Sequence, residues 1–314
     1  MNDSVRRGSL EMIAAMLISG TIGWFVLVSG QAVIDVVFWR CVFGSLALGM
    51  ICAALGHLKW GVLTRAALGW AVLSGVAIVG NWLLLFAAYS RASIAIATAV
   101  YNLQPFLLLG LAALFLGEQI TAAKLTWLAI AFAGVLAIVA AHGQGQAQGD
   151  DYLLGIALAL GAASLYALAA VVIKRLRGTP PHVIALVQVL TGAVLLAPWV
   201  MPVSLPQASG QWASLVTLGL VHTGVMYVLL YSAIQRLPTA LTGALTFVYP
   251  VAAILVDWAA FGHRLGALQW LGVGLILLAA AGMQQGWWFA AAKPLRSTVE
   301  RSTPTKRQGC RQSR

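Results

Sequence analysis

Long apolar runs, separated by short polar or glycine- and proline-containing breaks, fill most of the chain. Each run is about 20 residues long, the length that a helix needs to cross the hydrocarbon core of a bilayer. The runs do not alternate apolar with polar residues, and they are about twice as long as a tilted membrane strand, so a β-barrel is disfavoured. The pattern predicts ten membrane-spanning helices, near residues 10–29, 33–55, 66–89, 94–116, 123–141, 152–174, 182–201, 212–233, 239–261 and 267–289.

Composition strengthens the membrane interpretation. Of the 314 residues, 61% are apolar and 9% are charged, and the mean hydropathy is +0.90. A soluble protein of this size needs a charged surface, and about 25% of its residues are usually charged. The three cysteines lie far apart and form neither a metal-ligand spacing nor a disulfide framework, so we expect no metal and no cofactor. The first apolar run is too long for a cleavable signal peptide.

Lysine and arginine are unevenly shared between the predicted loops. If the N-terminus is cytoplasmic, sixteen of them lie on the cytoplasmic side, whereas Arg91 and Arg264 lie outside. The positive-inside rule therefore predicts that both termini are cytoplasmic. From Lys293 to Arg314, seven basic residues accompany one acid, Glu300. We interpret this tail as a cytoplasmic segment beside anionic headgroups and not as a nucleic-acid-binding segment.

A weak internal repeat divides the chain into two halves. A shift of 145 positions aligns residues 81–118 with 226–263 without gaps, and Pro105 then coincides with Pro250. Each half holds five predicted spans, an odd number, so the halves have opposite orientations, which is typical of transporters. The sequence thus predicts an all-α membrane protein of ten transmembrane helices in two inverted-topology five-helix repeats. Its predicted parts are a cytoplasmic N-terminus 1–9, a first repeat 10–141, an external linker 142–151, a second repeat 152–289 and a basic cytoplasmic tail 290–314.

Residues 10–289 resemble a pair of EamA repeats of the drug/metabolite transporter superfamily. The resemblance is carried by the run from Tyr89 to Glu118, with Pro105 in mid-span, and by a second copy that departs from the family at His263. It implies a ten-span carrier of the bacterial inner membrane, with spans 1, 3, 4, 6, 8 and 9 around a central cavity. Among characterised members, the chain is similar to the aromatic amino-acid exporters. The family's cavity layout implies three candidate residues, Thr21, Trp24 and Tyr166.

Two prolines and the side chains beside them indicate where a substrate would bind. Pro105 and Pro250 are predicted in mid-span, where each deprives a carbonyl of its N–H partner and the hydrocarbon offers no replacement. We predict that these kinks act as gates facing a cavity. Polar and aromatic residues recur near them at helical spacing in both halves, although ordinary helix packing produces similar stripes. The cavity residues predicted in this way are Asn81, Trp82, Phe86, Tyr101, Asn102, Thr223, Tyr227, Thr246 and Tyr249.

Three ionisable side chains lie deep within predicted spans. They are Arg40, His222 and Asp257. A charge inside a membrane faces a cavity or a partner, so Arg40 either binds a substrate carboxylate or pairs with Asp257. His222 either titrates near neutral pH or is a hydrogen-bonded packing residue. The acids show no repeat that would indicate a proton relay, so coupling stays open.

The favoured function is alternating-access export of small neutral solutes, above all amino acids with aromatic or other apolar side chains. An organic-cation or drug carrier is the alternative, with Asp257 as its candidate acid. An intramembrane enzyme is disfavoured because HExxH, GxSxG and suitably paired acids are missing from the sequence, so no catalytic residues are expected. A channel explains inverted halves less well. The predicted partners are a small-molecule substrate and the lipid bilayer, with no nucleic acid, and the sequence leaves the oligomeric state open.

Overall fold

The computed structural model describes most of the chain, and every regular element in the described part is helical. The described residues are 3–58, 63–116, 121–140, 151–173, 176, 178–200, 205–237 and 245–287. Outside them lie the predicted linker 142–151 except Asp151, the predicted tail 290–314 and the pair Gly117-Glu118.

The helices fall where the apolar runs predict helices. Those of the first half are α1 Asp3–Gly20, α2 Ile22–Val28, α3 Val33–Ala54, α4 Arg65–Ala92, α5 Ile94–Tyr101, α6 Gln104–Leu116 and α7 Ala122–Ala140. Those of the second half are α8 Tyr152–Ile173, α9 Pro181–Leu196, α10 Ser209–Gly219, α11 Met226–Arg236, α12 Val248–Phe261 and α13 Ala267–Gln285. A π-helical segment, Leu220–Val225, joins α10 to α11, and a 3₁₀ turn, Ala197–Trp199, follows α9.

Length and composition make these helices suitable for a bilayer. Within the described ranges, seven helical stretches are at least 18 residues long and apolar enough to span a membrane, and three shorter apolar helices accompany them. Large apolar side chains such as Leu114, Phe132 and Val194 are exposed on the outer surface, as lipid contact requires. The chain is therefore a multi-pass membrane protein whose described part is all-helical.

The two prolines begin helices and do not bend continuous ones. α5 ends at Tyr101, a turn follows, and Pro105 is the second residue of α6. Pro250 is the third residue of α12, just after a turn at Phe247. Proline suits the first helical turn because the N–H groups there have no partner within the helix. The predicted mid-helix kinks are thus corrected to helix breaks, and their action as gates stays a prediction.

Two walls of helices face each other across the molecule. The first wall consists of α4, α5, α6 and α8, and the second wall consists of α1, α2, α11 and α12. Within the first wall α4 packs along α8, and within the second wall α1 packs along α11. Beside the walls, α7 packs along α13, where a Cβ added to Gly134 would lie 2.7 Å from the carbonyl oxygen of Gly272. Small residues of this kind let helix backbones approach closely within a membrane.

Candidate functional site

A cavity of about 570 Å³ lies between the two walls. This volume is within the range typical of small-molecule sites, which are mostly apolar with a few polar groups. Among the described residues that line the cavity, Arg40 carries the only charge. The aromatic part of the lining comprises Trp82, Phe86, Tyr89, Tyr101, Tyr166, Tyr227, Phe247 and Tyr249.

The first wall presents its aromatic side chains from one face of α4. Trp82, Phe86 and Tyr89 follow one another at helical spacing, and the rings of Phe86 and Tyr89 stack with centroids 5.9 Å apart. From α8, Tyr166 meets the ring of Tyr101 edge to face at 6.0 Å. The stripe predicted on α4 therefore faces the cavity, together with a tyrosine of the neighbouring helix.

Asn81 lies behind the lining and holds it in place. Its side-chain amide donates to the carbonyl oxygen of Ala162 at 2.6 Å and to the hydroxyl of Tyr101 at 3.2 Å. These bonds tie α4 to α8 and fix the last residue of α5 at the helix break. Asn81 is thus buried beneath the cavity surface and positions Tyr101, which does line the cavity.

The second wall contributes a more apolar lining. Met226, Tyr227, Leu230 and Ile234 recur along α11, and Met12 and Met16 lie beside them on the neighbouring α1. Ile234 is 47% exposed, so the cavity approaches the surface at this end of α11. Thr246 and Tyr249 line the cavity at the break before α12.

Arg40, on α3, lines the cavity beside Trp82 of the first wall. Its Nε donates to the hydroxyl of Thr223 at 3.1 Å, and its guanidinium carbon lies 4.2 Å from the centroid of the Trp82 ring and 5.6 Å from that of Phe86. Thr223 belongs to the π-helical segment and donates in turn to the carbonyl oxygen of Leu218 at 3.1 Å. Such segments often occur at functional sites, since the wider turn leaves carbonyl groups free for side chains.

The same π-helical segment places His222 between two hydrogen-bond partners. Its Nε2 lies 2.9 Å from the Thr21 hydroxyl, and its Nδ1 lies 3.2 Å from the Thr217 carbonyl oxygen. The imidazole also packs edge to face on Phe25 at 5.0 Å. These contacts favour the packing alternative for His222, which joins α1–α2 to the π-helical segment.

Asp257 lies at the opposite end of the walls from Ile234, where α12 meets α5. Its carboxylate accepts a hydrogen bond from the backbone N–H of Ala95 at 3.0 Å and lies 2.9 Å from Nδ1 of His263. The alternative pairing of Asp257 with Arg40 is therefore not the one that the structure shows. The carboxylate stabilises the N-terminus of α5 instead, where a negative charge is favourable.

The predicted cavity residues divide into those that line the cavity and those that lie behind it. Those on the surface are Trp82, Phe86, Tyr101, Asn102, Tyr166, Tyr227, Thr246 and Tyr249, together with Pro105, Arg40 and Tyr89, the third aromatic residue of the α4 stripe. Outside the lining lie Thr21, Trp24, Asn81, Thr223, His222, Pro250 and Asp257. Sequence reasoning missed Met12, Met16, Ser19, Ile22, Leu85, Gln104, Leu108, Met226, Leu230, Ile234 and Phe247. Most of these are apolar residues in apolar runs, where nothing in the sequence separates a cavity face from a lipid face.

A bundle of apolar helices around a central, largely apolar cavity with one charged anchor has the architecture of a membrane transporter. Comparison with known families agrees. The chain matches the EamA-like transporter family over residues 6–140 and again over 153–284. It therefore belongs to this family, within the drug/metabolite transporter superfamily, and carries two EamA domains.

Two relatives with similar sequences are described as uncharacterized transporters. The chain is 29% identical over 278 residues to the uncharacterized transporter YxxF of Bacillus subtilis, covering 87% of each chain. It is 25% identical over 289 residues to an uncharacterized transporter of Archaeoglobus fulgidus, covering 90% of this chain and 97% of the other. A solved crystal structure, described only as that of a protein, matches with a TM-score of 0.60 at 22% identity over 87% of this chain and 94% of its own, which bears on the fold alone.

Proposed function

We propose that this protein exports small neutral metabolites, chiefly amino acids with aromatic or other apolar side chains, by alternating access across a bacterial inner membrane. In this proposal the chain spans the membrane ten times as two inverted repeats, with both termini cytoplasmic. The single observation that carries the proposal is the aromatic cavity between the two walls, with Arg40 as its one charge among the described lining residues.

Equivalent helix pairings support the inverted repeat. α4, the third predicted span, packs along α8, the sixth, just as α11, the end of the eighth span, packs along α1, the first. Each pairing carries an ion pair at its end, Arg91 with Asp151 at 3.8 Å and Arg236 with Glu11 at 2.9 Å. Arg91 and Arg236 are equivalent in the 145-residue repeat, and opposite orientation of the halves would place the two pairs at opposite faces of the membrane.

The chemistry of the cavity favours a zwitterion over a cation. A cation carrier needs an acid that faces its cargo, and the candidate for this role, Asp257, is bonded to Ala95 and His263 outside the lining. Nucleotide-sugar or phosphate cargo would require several positive charges in the cavity. The remaining combination, one guanidinium with tyrosine hydroxyls and aromatic rings, suits a carboxylate attached to an apolar body.

A flux assay in proteoliposomes tests the proposal. Labelled phenylalanine, leucine and alanine are compared with tetraethylammonium, with and without a pH gradient, in vesicles with and without the protein. We expect exchange of the apolar amino acids and none of the cation. Accumulation or release of the cation without amino-acid flux would contradict the proposal.

A matched pair of variants ties the flux to the cavity. Tyr166 lines the cavity and is 40% exposed, whereas Phe132 faces outward and is 61% exposed. Tyr166→Ala should lower amino-acid flux several-fold because it removes part of the cargo's apolar contact, worth roughly 1–3 kcal/mol. Phe132→Ala should leave the flux unchanged, and equal losses in both variants would disconnect transport from the cavity.

A further inference from the structure

We propose that Arg40 binds the carboxylate of the cargo, and that the cargo class is organic monocarboxylates with an apolar or aromatic body, for which an amino group is dispensable. The proposal rests on the proposed transport function and names the group that the cavity recognises. Amino acids are then one subset of a wider class, and amines without a carboxylate fall outside it.

Arg40 is a buried charge without a counter-ion in the described part of the chain. Arg40 is 2% exposed, and none of the carboxylates in the described part of the chain forms an ion pair with it. Two acids in the described part are almost fully buried: Asp257 is bonded at the far end of α12, and Asp35, on the same helix as Arg40, forms no ion pair with it. A buried guanidinium is costly unless an anion or several hydrogen bonds compensate it. Since the protein supplies no anion in the described part, an anionic group of the cargo is the natural counter-ion.

The terminal nitrogens of the Arg40 guanidinium are free to bind a ligand in the cavity. Thr223 occupies Nε, and the centroid of the Trp82 ring lies 4.2 Å from the guanidinium carbon. In the described structure Nη1 and Nη2 have no protein partner, and Arg40 lines the cavity. Two neighbouring guanidinium N–H groups match the two oxygens of a carboxylate, which is the geometry of strong bidentate pairs. The bond to Thr223 and the cation–π contact with Trp82 hold this fork in place.

The amino group of a bound amino acid would contribute less to recognition than its carboxylate. None of the described lining residues is an acid, so an ammonium group would find only neutral acceptors. One of them is Oε1 of Gln104, a buried oxygen without a hydrogen-bond partner in the structure. A neutral acceptor binds an ammonium less strongly than a carboxylate does. Recognition therefore depends mainly on the carboxylate and on the apolar body.

Three ligands that share one ring and differ in their head groups test this directly. Binding of phenylpropanoate, phenylalanine and phenethylamine to the purified full-length protein in lipid nanodiscs is measured by calorimetry. We expect phenylpropanoate and phenylalanine to bind within about fivefold of each other, and phenethylamine to bind at least tenfold more weakly, since it lacks the charge-assisted pair. Equal or tighter binding of phenethylamine, or binding of none of the three, would overturn the proposal.

Variants at Arg40 test whether this residue causes the preference for carboxylate ligands. Arg40→Gln should weaken both carboxylates about tenfold or more and leave phenethylamine unchanged, whereas Arg40→Lys should retain part of the affinity because it keeps the charge but loses the fork. The matched control is Gln188→Leu, which removes a buried polar contact to Ser74 outside the cavity lining and should not alter binding. Unaltered carboxylate binding in Arg40→Gln would overturn the proposal. If Arg40→Gln does not fold, the comparison of the three ligands on the unaltered protein decides.

Two results would distinguish a failure of the Arg40 proposal from a failure of the proposed transport function. Carboxylate binding that depends on Arg40, with no flux of any carboxylate in proteoliposomes, would leave this proposal standing and remove the transport proposal. Phenylalanine flux that is the same in Arg40→Gln and in the unaltered protein would remove this proposal and leave transport standing.

Discussion

The two walls touch at one end of the molecule and separate around the cavity toward the other. At the closed end, formed by Gly23, Ile94, Ala95, Asp257 and His263, α5 packs against α12 and α2 approaches α5 closely. At the open end, the cavity extends between Leu108 of α6 and Ile234 of α11, which is partly exposed.

The chemistry of the two ends differs as much as their geometry. The closed end is held by one carboxylate, which bonds a backbone N–H and a histidine, together with one close helix approach. The open end presents methionine, leucine and isoleucine side chains, whose contacts are apolar and not directional. The few hydrogen bonds of the closed end can break together, which would open it. The apolar surfaces of the open end can come together without matched hydrogen-bond partners, which would close it. The difference therefore fits one state of an alternating-access cycle, in which the cavity is accessible from the open end. In the proposed orientation, the open end faces the cytoplasm.

The largest effect is expected from removal of the Asp257 carboxylate. Asp257→Ala leaves the Ala95 N–H and His263 without their partner, which should lower the free energy of unfolding by about 2–4 kcal/mol. Asp257→Asn keeps an acceptor and should lose roughly half as much. Thermal unfolding in detergent measures both, alongside flux. An Asp257→Ala protein as stable and as active as its parent would show that this contact does not hold the closed end.

A steric change at the closed end should have the next largest effect. A Cβ on Gly23 would lie 2.7 Å from Cγ2 of Ile94, so Gly23→Val should force α2 away from α5 at a cost of about 1–3 kcal/mol. Gly49→Val is the matched control because a Cβ at Gly49 meets nothing within 4 Å. Flux and thermal stability should fall only in Gly23→Val, and a second change, Ile94→Ala, should restore part of both. Failure of that rescue would argue against a local clash.

The helix breaks allow a smaller and directional test. Alanine at Pro105 or Pro250 supplies an N–H that favours a continuous helix by about 0.5–1.5 kcal/mol. In oppositely oriented halves, the two variants should bias the walls toward opposite states. The labelling rate of a cysteine placed at Asn102, which lines the cavity, should therefore change about threefold or more in opposite directions from the cytoplasmic side. Shifts in the same direction would remove the two-gate interpretation.

The smallest effects belong to the ion pairs at the ends of the walls. Asp151 is 68% exposed and lies 3.8 Å from Arg91, so Asp151→Asn should change the free energy of unfolding by less than about 0.5 kcal/mol. Glu11 is 13% exposed, lies 2.9 Å from Arg236 and also accepts from Ser232, so Glu11→Gln should cost about 1 kcal/mol. Thermal unfolding compares them, and the reverse order would mean that burial does not set the strength of these pairs.

Local pattern was sufficient for the helices and for part of the cavity. Trp82, Phe86 and Tyr227 line the cavity because spacing along one helix face follows from the helix itself. Asn81 and Thr223 were predicted in the lining but lie beneath it, where they hold Tyr101 and Arg40. Whether a polar side chain contacts the cargo or a neighbour depends on the adjacent helix, which the spacing does not specify.

The sequence by itself determined that this protein lies in a bilayer, that it is helical, and that it belongs to a transporter family. Only the tertiary structure decided that Asp257 bonds Ala95 and His263, that a π-helical segment presents Thr223 to Arg40, and that Met12 and Ile234 border the cavity. The physical reason lies in the bilayer. A membrane helix satisfies its backbone internally and is apolar on the lipid face and the packed face alike, so the hydrophobic pattern that defines each helix carries little information about which face meets which neighbour.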